Sequence, residues 1–573
     1  MKSRGNLIAA AIALVLGAVY QFAPMFAPAS ESVYDARAFG TLPVSYAGRY
    51  KPIDTVARNA LLSISGRQHL KEDDTKVDAS AWLLELAARP DLAVHRKAFR
   101  IDDPDVLAVL GLSHAQAKRF SFSDIVAKGD ELQKQYTQAS QVESADRNAF
   151  QRNIMHLGDQ LGLFQDLMAL STLGVVPPAP GEQGWSSMHA HGKAMSAQQQ
   201  EIASHYQSML ESYAAGDAAG FNAEVATLKA ALQSAEPKYT TRATEEELLN
   251  RVNPFGRALV LYVVAGVLLM VSWLRWQRPL FSAAVALVLF AWTVHTIGLA
   301  ARIYLSGRPP VTNLYSSALF IGWGAVLVSV VLERFLRGGL GVFLAAVIGF
   351  LTLLIAQGLT GSGDTMAVLQ AVLDTNFWLA THVVVITLGY SATYLAGFLG
   401  IAYVIRGVFT RTLDAESSRR LVQMIYGVVC FATLLSFLGT ILGGIWADQS
   451  WGRFWGWDPK ENGALIIVLW NALILHARWG GIARQRGIAV LAIFGNIVTS
   501  WSWFGVNMLG RGLHSYGFID SVAFWLVAFV LLQLVLVVIG SMPQRLWRSG
   551  KPGQIVRKKD TDPTPAGARP NLT

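Results

Sequence analysis

The amino-acid sequence predicts an all-α polytopic membrane protein, in which a helical transmembrane bundle comes after an N-terminal, mainly helical extracytoplasmic domain. Apolar runs of about 20 residues recur from Phe255 onward, and this is the length at which a helix crosses a ~30 Å hydrocarbon core. Only 15% of the residues are charged, whereas 52% are hydrophobic. The Lys and Arg residues lie mostly between the apolar runs and in the C-terminal tail, as the positive-inside rule describes.

The chain before the bundle has two parts. Residues 1–30 combine a basic start, an apolar run from Leu7 to about Ala23 and a proline-containing end. This pattern predicts either a membrane anchor or a cleaved signal, and either one exports the residues that come after it. Residues 31–253 are polar and contain no apolar run of span length. We therefore expect them to form one extracytoplasmic domain.

The bundle, residues 254–541, is predicted to contain nine spans: 255–274, 280–304, 314–333, 340–358, 377–405, 421–445, 463–479, 487–506 and 518–541. The connections after the first, third, fifth and seventh spans are rich in arginine, which assigns them to the cytoplasm together with the tail 542–573. Connections 305–313, 359–376, 446–462 and 507–517 then share the periplasmic side of a bacterial inner membrane with residues 31–253.

Composition excludes several classes of site. The formal net charge is +9, but the basic residues orient the spans, so we expect no nucleic-acid partner. Cys430 is the sole cysteine of the sequence, which rules out an intrachain disulfide framework or a thiolate metal cluster. Metal or redox chemistry would have to use other ligands, and imidazole is the first candidate.

Four histidines fall in the membrane region: His295, His382, His476 and His514. An ionisable residue in a span is costly and suggests function. By the predicted topology, His382 lies about five residues into its span from the periplasmic end, and His514 lies in a short periplasmic connection. The two imidazoles could therefore meet at the periplasmic surface and ligate a haem iron from both sides.

A tryptophan-rich segment lies between those two histidines in the sequence. Residues 446–461 read WADQSWGRFWGWDPKE and contain Trp446, Trp451, Trp455 and Trp457. So many aromatic rings exceed an ordinary interfacial belt and predict a flat, apolar shelf for a planar macrocycle. Arg453 and Lys460 are candidates to meet carboxylates of the ligand. Asp458 and Pro459 are expected to cap and begin the next helix.

Simpler explanations exist for each of these features. A single histidine in a span is more often an interhelical hydrogen-bond partner than a metal ligand, and interfacial tryptophans usually act as anchors. The convergence of two histidines with the tryptophan cluster on one side of the membrane favours a periplasm-facing site for a planar cofactor.

The segment 451–461, WGRFWGWDPKE, closely resembles the WWD signature of the haem-handling family. The surrounding chain resembles the CcsA branch of that family, which builds c-type cytochromes together with a ResB/CcsB partner. Three further stretches carry the resemblance: 306–315 (SGRPPVTNLY), 377–383 (FWLATHV) with His382, and 512–517 (GLHSYG) with His514. His476, in 475–478 (LHAR), is similar to the family's intramembrane histidine.

The resemblance implies a cytochrome c synthase, a haem lyase that works within a complex. Haem b would be taken up at a site that uses His476 and would move to a periplasmic site ligated by His382 and His514. The aromatic segment, with Asp458, Arg453 and Lys460, would hold the haem there. An exported apocytochrome c would dock its Cys-x-x-Cys-His motif and add its thiols to the haem vinyl groups, so no residue of this chain need act as a nucleophile.

The chain departs from the family pattern in two respects. Residues Asn462-Gly463 stand where the family often has Thr-Trp, so one expected tryptophan is missing. The ResB-like half is also missing, so we expect a separate ResB/CcsB-like membrane subunit to supply the second ligand to the His476 haem. His295 is the alternative within the chain, although its predicted depth differs from that of His476.

Two other functions fit the same residues. The chain could be a haem exporter or haem chaperone that delivers haem to another protein without doing the ligation. It could also be an assembly protein without a cofactor. Asp364 and Asp374, in a predicted periplasmic connection, are candidates for docking a partner or substrate.

Overall fold

The structure is a computed structural model that describes residues 2–26, 32–72, 75–113, 119–144, 146–170, 172–188, 195–336, 338–509 and 520–550. Within these residues the chain is mainly helical, with two short β-hairpins. Its helices are α1 Lys2–Phe22, α2 Ala36–Gly40, α3 Ile53–Ser65, α4 Ala79–Ala88, α5 Pro90–Ala93, α6 Pro104–Leu110, α7 Phe122–Val126, α8 Gly129–Ser140, α9 Ala149–Met168, α10 Ala197–Ala215, α11 Ala218–Ala235, α12 Pro237–Val252, α13 Pro254–Leu274, α14 Gln277–Ser306, α15 Leu314–Leu336, α16 Leu340–Gly358, α17 Asn376–Trp378, α18 Val384–Phe409, α19 Ala415–Trp451, α20 Pro459–Trp479, α21 Gln485–Ser500 and α22 Asp520–Ser541.

Nine helical segments of the described chain are long and apolar enough to cross a membrane. Eight of them coincide with predicted spans, and the ninth, Arg4–Met25, covers most of α1. The predicted span 463–479 falls within α20, a helix of 21 residues whose polar side chains lower its mean hydropathy. It packs against α19 and α21, and six of its residues are buried: Gly463, Ile467, Asn471, Ile474, Leu475 and Ala477. The prediction of an all-α polytopic membrane protein is confirmed.

Helices α18 to α21 form the part of the bundle that matters for the site. Helices α18 and α19 are antiparallel neighbours, since Tyr403 near the end of α18 shares a 3.0 Å hydrogen bond with Ser418 near the start of α19. Helix α21 packs closely along α18, where a Cβ added to Gly400 would lie 2.5 Å from the carbonyl oxygen of Ala489. Backbone contact of this kind is how small residues bring membrane helices together.

Residues between α1 and α13 build a unit with its own apolar core. Trp82, Phe99, Phe164 and Phe221 are fully buried at its centre. Within this unit the described residues contain two antiparallel hairpins, β1 Pro43–Tyr46 with β2 Arg49–Pro52, and β3 His69–Glu72 with β4 Thr75–Asp78. Helix α12 then leads into α13 through Asn253, whose left-handed backbone (φ 43°) and side chain begin the new helix.

Helix α1 packs against α13 and α14. Gly17 is the contact point, because a Cβ there would lie 3.0 Å from the Leu287 side chain. At the end of the helix Gln21 is fully buried, and the Arg257 guanidinium donates to the Tyr20 carbonyl and lies over the Tyr20 ring. These contacts hold α1 against the bundle.

Candidate functional site

His382 lies in a single π-helical turn, Leu379–Val383, directly before α18. Its Nδ1 is 2.8 Å from the carbonyl oxygen of Gly439 on α19. A carbonyl oxygen can only accept, so Nδ1 carries the proton, and Nε2 of the neutral imidazole carries the lone pair. This is the tautomer in which a histidine ligates a metal through Nε2 while its other nitrogen is held by a carbonyl. Single π turns are frequent at functional sites.

The surface of α19 that receives the His382 ring is formed by Gly439, Gly443 and Trp446. Their spacing of four and three residues places them on one helix face. A Cβ added to Gly443 would lie 2.6 Å from Cε1 of His382, so only glycine lets the ring approach so closely. The Trp446 ring stands edge-on to the imidazole, with the ring centroids 5.7 Å apart. The Trp446 Nε1 is buried and has no hydrogen-bond partner within the described chain.

The connection between α19 and α20 is shorter than the predicted loop 446–462. Helix α19 continues through Trp451 and ends at Gly452, which takes the left-handed conformation with φ 69°. Trp446 and Trp451 are therefore helical, and only residues 452–458 connect the two helices. The predicted helix end at residue 445 is therefore too early, because residues 446–451 form the last turns of the helix.

The aromatic rings of this connection do not form one flat shelf. Trp455 and Trp457 lie 6.0 Å apart with their planes at 86°. Phe454 folds back onto α19, where a Cβ on Gly444 would lie 2.5 Å from its ring. The Trp457 side chain is 70% exposed. The connection therefore presents ring edges and one exposed indole, because its backbone turns too sharply for the rings to be coplanar.

Asp458 and Pro459 begin α20 as predicted. The Asp458 carboxylate accepts from the Lys460 amide at 2.8 Å, and Glu461 accepts from the amides of Gly456 and Asp458. This capping box satisfies amides that a helix start leaves without partners. It also holds Trp457 in the left-handed region, with φ 58°, a conformation that is rare for a residue with a side chain. The capping box at Asp458 thus fixes the backbone conformation of the connection between α19 and α20.

The two cations predicted to meet carboxylates have different environments. The Arg453 side chain is exposed, and its guanidinium lies close to the Cα of Gly456. The Lys460 ammonium instead donates to the carbonyl oxygens of Ser502 and Trp503, at 2.9 and 3.3 Å. Lys460 thereby satisfies carbonyls at the irregular end of α21, which leaves Arg453 as the accessible cation of the pair.

The missing tryptophan at position 463 has a steric explanation. A Cβ added to Gly463 would lie 3.0 Å from the Cα of Ser502 and 2.7 Å from its Oγ. Helix α20 therefore packs directly on the backbone of the π-helical turn Trp501–Gly505, and no larger side chain fits between them.

His514 lies outside the described residues. The chain that leads towards it ends at Leu509, after α21 and the π-helical turn Trp501–Gly505. That turn packs on the helix that comes after His382, since the Tyr390 hydroxyl and the Ser502 hydroxyl are 2.7 Å apart. The described chain thus brings the segment before His514 to the same end of the bundle as His382.

His476 lies at the other end of α20 from Asp458, about 27 Å away at about 1.5 Å per residue. Its Nδ1 is 2.8 Å from the carbonyl oxygen of Ala472, which again assigns the proton to Nδ1 and the lone pair to Nε2. The imidazole is on the exposed surface of the helix, and the Trp479 ring lies 5.5 Å from it. The bundle therefore has one candidate ligand at each end.

His295 is placed differently from the other histidines. Its side chain is fully buried, its ring meets Phe255 edge-on at 5.6 Å, and neither ring nitrogen makes a hydrogen bond of ordinary geometry within the described chain. It belongs to α14, which packs on α13 and α15, whereas His476 belongs to α20 between α19 and α21. The two histidines therefore lie in different parts of the bundle, and the role of His295 as an axial ligand stays a prediction.

Sequence reasoning missed the residues that hold His382 in place. Gly439 and Gly443 resemble ordinary residues of an apolar span, although two glycines four residues apart on one helix indicate close approach by a neighbour. Trp378 was also missed. Its indole donates to Gln449 at 3.1 Å and joins the start of the His382 span to the end of α19.

Comparison with known proteins identifies relatives of this chain. Residues 311–514 match the family described as Cytochrome C assembly protein. The chain is 30% identical over 251 residues to the cytochrome c biogenesis protein CcsA of Synechococcus sp. (strain CC9902), and this match covers 39% of the chain and 82% of the relative. It is 32% identical over 271 residues to CcsA of Microcystis aeruginosa, and that match covers 38% of the chain and 82% of the relative.

A longer similarity extends through the N-terminal unit. The chain is 28% identical over 506 residues to the protein NrfI of Wolinella succinogenes, and the match covers 84% of this chain. The chain spans about half of that relative, 54% of its length.

Proposed function

Because this chain belongs to the family of CcsA cytochrome c biogenesis proteins, we propose that it carries haem across the bacterial inner membrane and promotes its attachment to an exported apocytochrome c. The observation that carries the proposal is the geometry of His382. Its Nδ1 is held by the Gly439 carbonyl at 2.8 Å, so Nε2 would be the ligand atom. The ring lies beside Trp446, at the end of the bundle where the WWD segment begins.

The periplasmic site would use residues from three parts of the chain. His382 and His514 would ligate the haem iron from opposite faces. The rings of residues 451–457 would line the macrocycle, and the buried Trp446 N–H next to His382 would offer a donor to the ligand. Arg453, which is exposed, would pair with a propionate.

His476 would take up haem at the cytoplasmic end of the same helix. An imidazole exposed on a membrane-facing helix surface is unfavourable unless another group covers it. A ResB/CcsB-like subunit that packs on this surface would cover the His476 imidazole and supply the second iron ligand. Haem would then pass from one end of α20 to the other.

The attachment step requires no nucleophile from this chain. Each apocytochrome thiol would add its sulfur to one vinyl carbon and its hydrogen to the other, so a thioether forms and no oxidant is consumed. The chain would contribute position, because two fixed imidazoles hold the macrocycle while the vinyl edge meets the thiols. The apocytochrome histidine would then replace one of the two ligands.

An absorption spectrum of the purified full-length protein tests the periplasmic site. We expect haem to copurify, His382→Ala and His514→Ala each to reduce haem per protein, and added imidazole to restore part of the loss. His205→Ala is the matched control, since His205 pairs with Glu224 in the N-terminal unit and should leave the spectrum unchanged. Equal haem content in all variants would exclude His382 and His514 as ligands.

A second experiment separates a synthase from a haem exporter or chaperone. The chain is expressed with a ResB/CcsB-like subunit and an exported Cys-x-x-Cys-His reporter in cells that lack other maturation proteins. Covalent haem on the reporter supports attachment by this complex. Haem that copurifies with the chain while the reporter stays unmodified supports delivery without ligation.

A further inference from the structure

The N-terminal unit and the bundle meet through a buried cluster of four charges: Arg49, Lys51, Glu246 and Asp364. The Arg49 guanidinium donates to both Glu246 oxygens, at 2.6 and 2.8 Å, and to Asp364 Oδ2 at 2.9 and 3.0 Å. The Lys51 ammonium donates to the same Asp364 oxygen at 2.6 Å. Arg49, Lys51 and Glu246 are at most 8% exposed and the Asp364 side chain is 12% exposed, so protein shields most of this contact from water.

Asp364 is the member of the cluster that belongs to the bundle. It lies between α16 and α17, within the predicted connection 359–376, whereas the other three charges belong to the N-terminal unit. Burial alone would raise the pKa of the Asp364 carboxyl, but the charges of Arg49 and Lys51 hold it below its usual value. The predicted role of Asp364 in docking a separate partner is therefore replaced by a contact within the chain.

The rest of the connection is fixed to the bundle itself. The Thr365 carbonyl accepts from Arg302 at 2.7 Å and from Asn313 at 2.8 Å. Asp374 accepts two hydrogen bonds from Arg308, at 2.6 and 2.8 Å. Eight residues after Asp374 the chain reaches His382. The connection thus runs from the N-terminal unit to the candidate ligand with contacts at both of its ends.

We propose that the N-terminal unit is a clamp on the connection 359–376, and that Arg49, Lys51 and Asp364 are positioning residues for His382. The proposal rests on the proposed function of His382 and adds a role for residues 32–252. Removing the Asp364 charge would leave the Lys51 ammonium buried without its acid partner, which strongly disfavours the docked arrangement. The clamp would then open, and the connection that leads to the His382 turn would be held only by its contacts with Arg302, Asn313 and Arg308.

Hydrogen exchange of the full-length protein tests the clamp without reference to haem. We expect Asp364→Asn to speed the exchange of amides in 359–378 by roughly tenfold or more, with α9 unchanged. Asp91→Asn is the matched control, because Asp91 pairs with Arg89 on the exposed surface of the same unit. Lys51→Gln, which keeps the pair between Arg49 and Asp364, should give a smaller change. Unchanged exchange in 359–378 would overturn the clamp and leave the proposed function standing.

A double-mutant cycle tests the link to His382. We expect Asp364→Asn to reduce haem per protein in the otherwise unchanged chain but to cause no further loss in the His382→Ala background, because both changes act through one ligand. Losses that add would show that Asp364 acts on the fold in general and would overturn its positioning role. If the unchanged chain holds no haem, the proposed function fails, and the exchange experiment still decides the clamp.

Discussion

The substitution Gly443→Ala tests the packing of His382 most directly. The added Cβ would lie 2.6 Å from Cε1, 3.1 Å from Nδ1 and 3.2 Å from Nε2 of the imidazole. Carbon atoms in contact prefer about 3.5–4.0 Å, so the ring must move by roughly 1 Å. A displacement of this size would break the 2.8 Å hydrogen bond from Nδ1 to Gly439.

The expected loss of haem affinity depends on that hydrogen bond. Its net contribution is about 0.5–1.5 kcal/mol, and groups that orient a metal ligand typically contribute about 10- to 100-fold to metal affinity. We therefore expect haem to dissociate roughly tenfold more readily from Gly443→Ala. The assay is the loss of Soret absorbance when the purified protein is mixed with an excess of a haem-binding apoprotein.

Gly427→Ala is a matched control on the same helix. A Cβ added to Gly427 meets nothing within 4 Å, so this change gains helix propensity without a clash. If Gly443→Ala retains haem as well as Gly427→Ala does, the imidazole is not held by this face of α19, and the reasoning about His382 is refuted.

Other parts of the structure give three further predictions. Asp458→Ala removes the capping box of α20 and should cost about 0.5–2 kcal/mol, measured as a lower midpoint of thermal unfolding in detergent, whereas Asp458→Asn should keep most of that stability. The pKa of Asp364 is below its usual value because of Arg49 and Lys51, so its contribution is complete above the ordinary aspartate pKa of about 3.9 and is lost as pH falls through the lower folded value. Exchange protection of 359–376 should accordingly be equal at pH 8 and pH 5 and weaken only below about pH 4; a loss already at pH 6 would contradict this. Because α1 packs against α13 and α14 and its Gln21 is buried, the mature protein should keep α1, and an intact mass that lacks the first 30 residues would disprove it.

Sequence periodicity and residue type were sufficient to identify several parts of the site. The WWD segment, His382 and the helix start at Asp458-Pro459 were all recognisable, because each depends on residues close together in the chain. The capping box illustrates the reason: Asp458 and Glu461 are three residues apart and need only local backbone geometry.

The orientation of the aromatic rings could not be predicted in the same way. Four tryptophans in a short segment suggested a flat surface, yet two of them are helical and the other two stand at 86° to each other. Ring orientation depends on the left-handed backbone at Trp457 and on the fold of Phe454 over Gly444. These are consequences of how α19 and α20 pack, which residue type alone does not specify.

The sequence by itself determined the membrane class, most of the spans and the chemical character of the candidate ligands, because hydrophobic length and residue type act locally. Only the tertiary structure decided which nitrogen of His382 carries the proton, why position 463 is glycine, and how Asp364 is used. Each of these depends on a contact between residues distant in sequence, such as the 2.6 Å pair between Lys51 and Asp364. Distances of this kind are fixed by the packing of whole helices against one another. The order of residues along the chain does not reveal them without the fold.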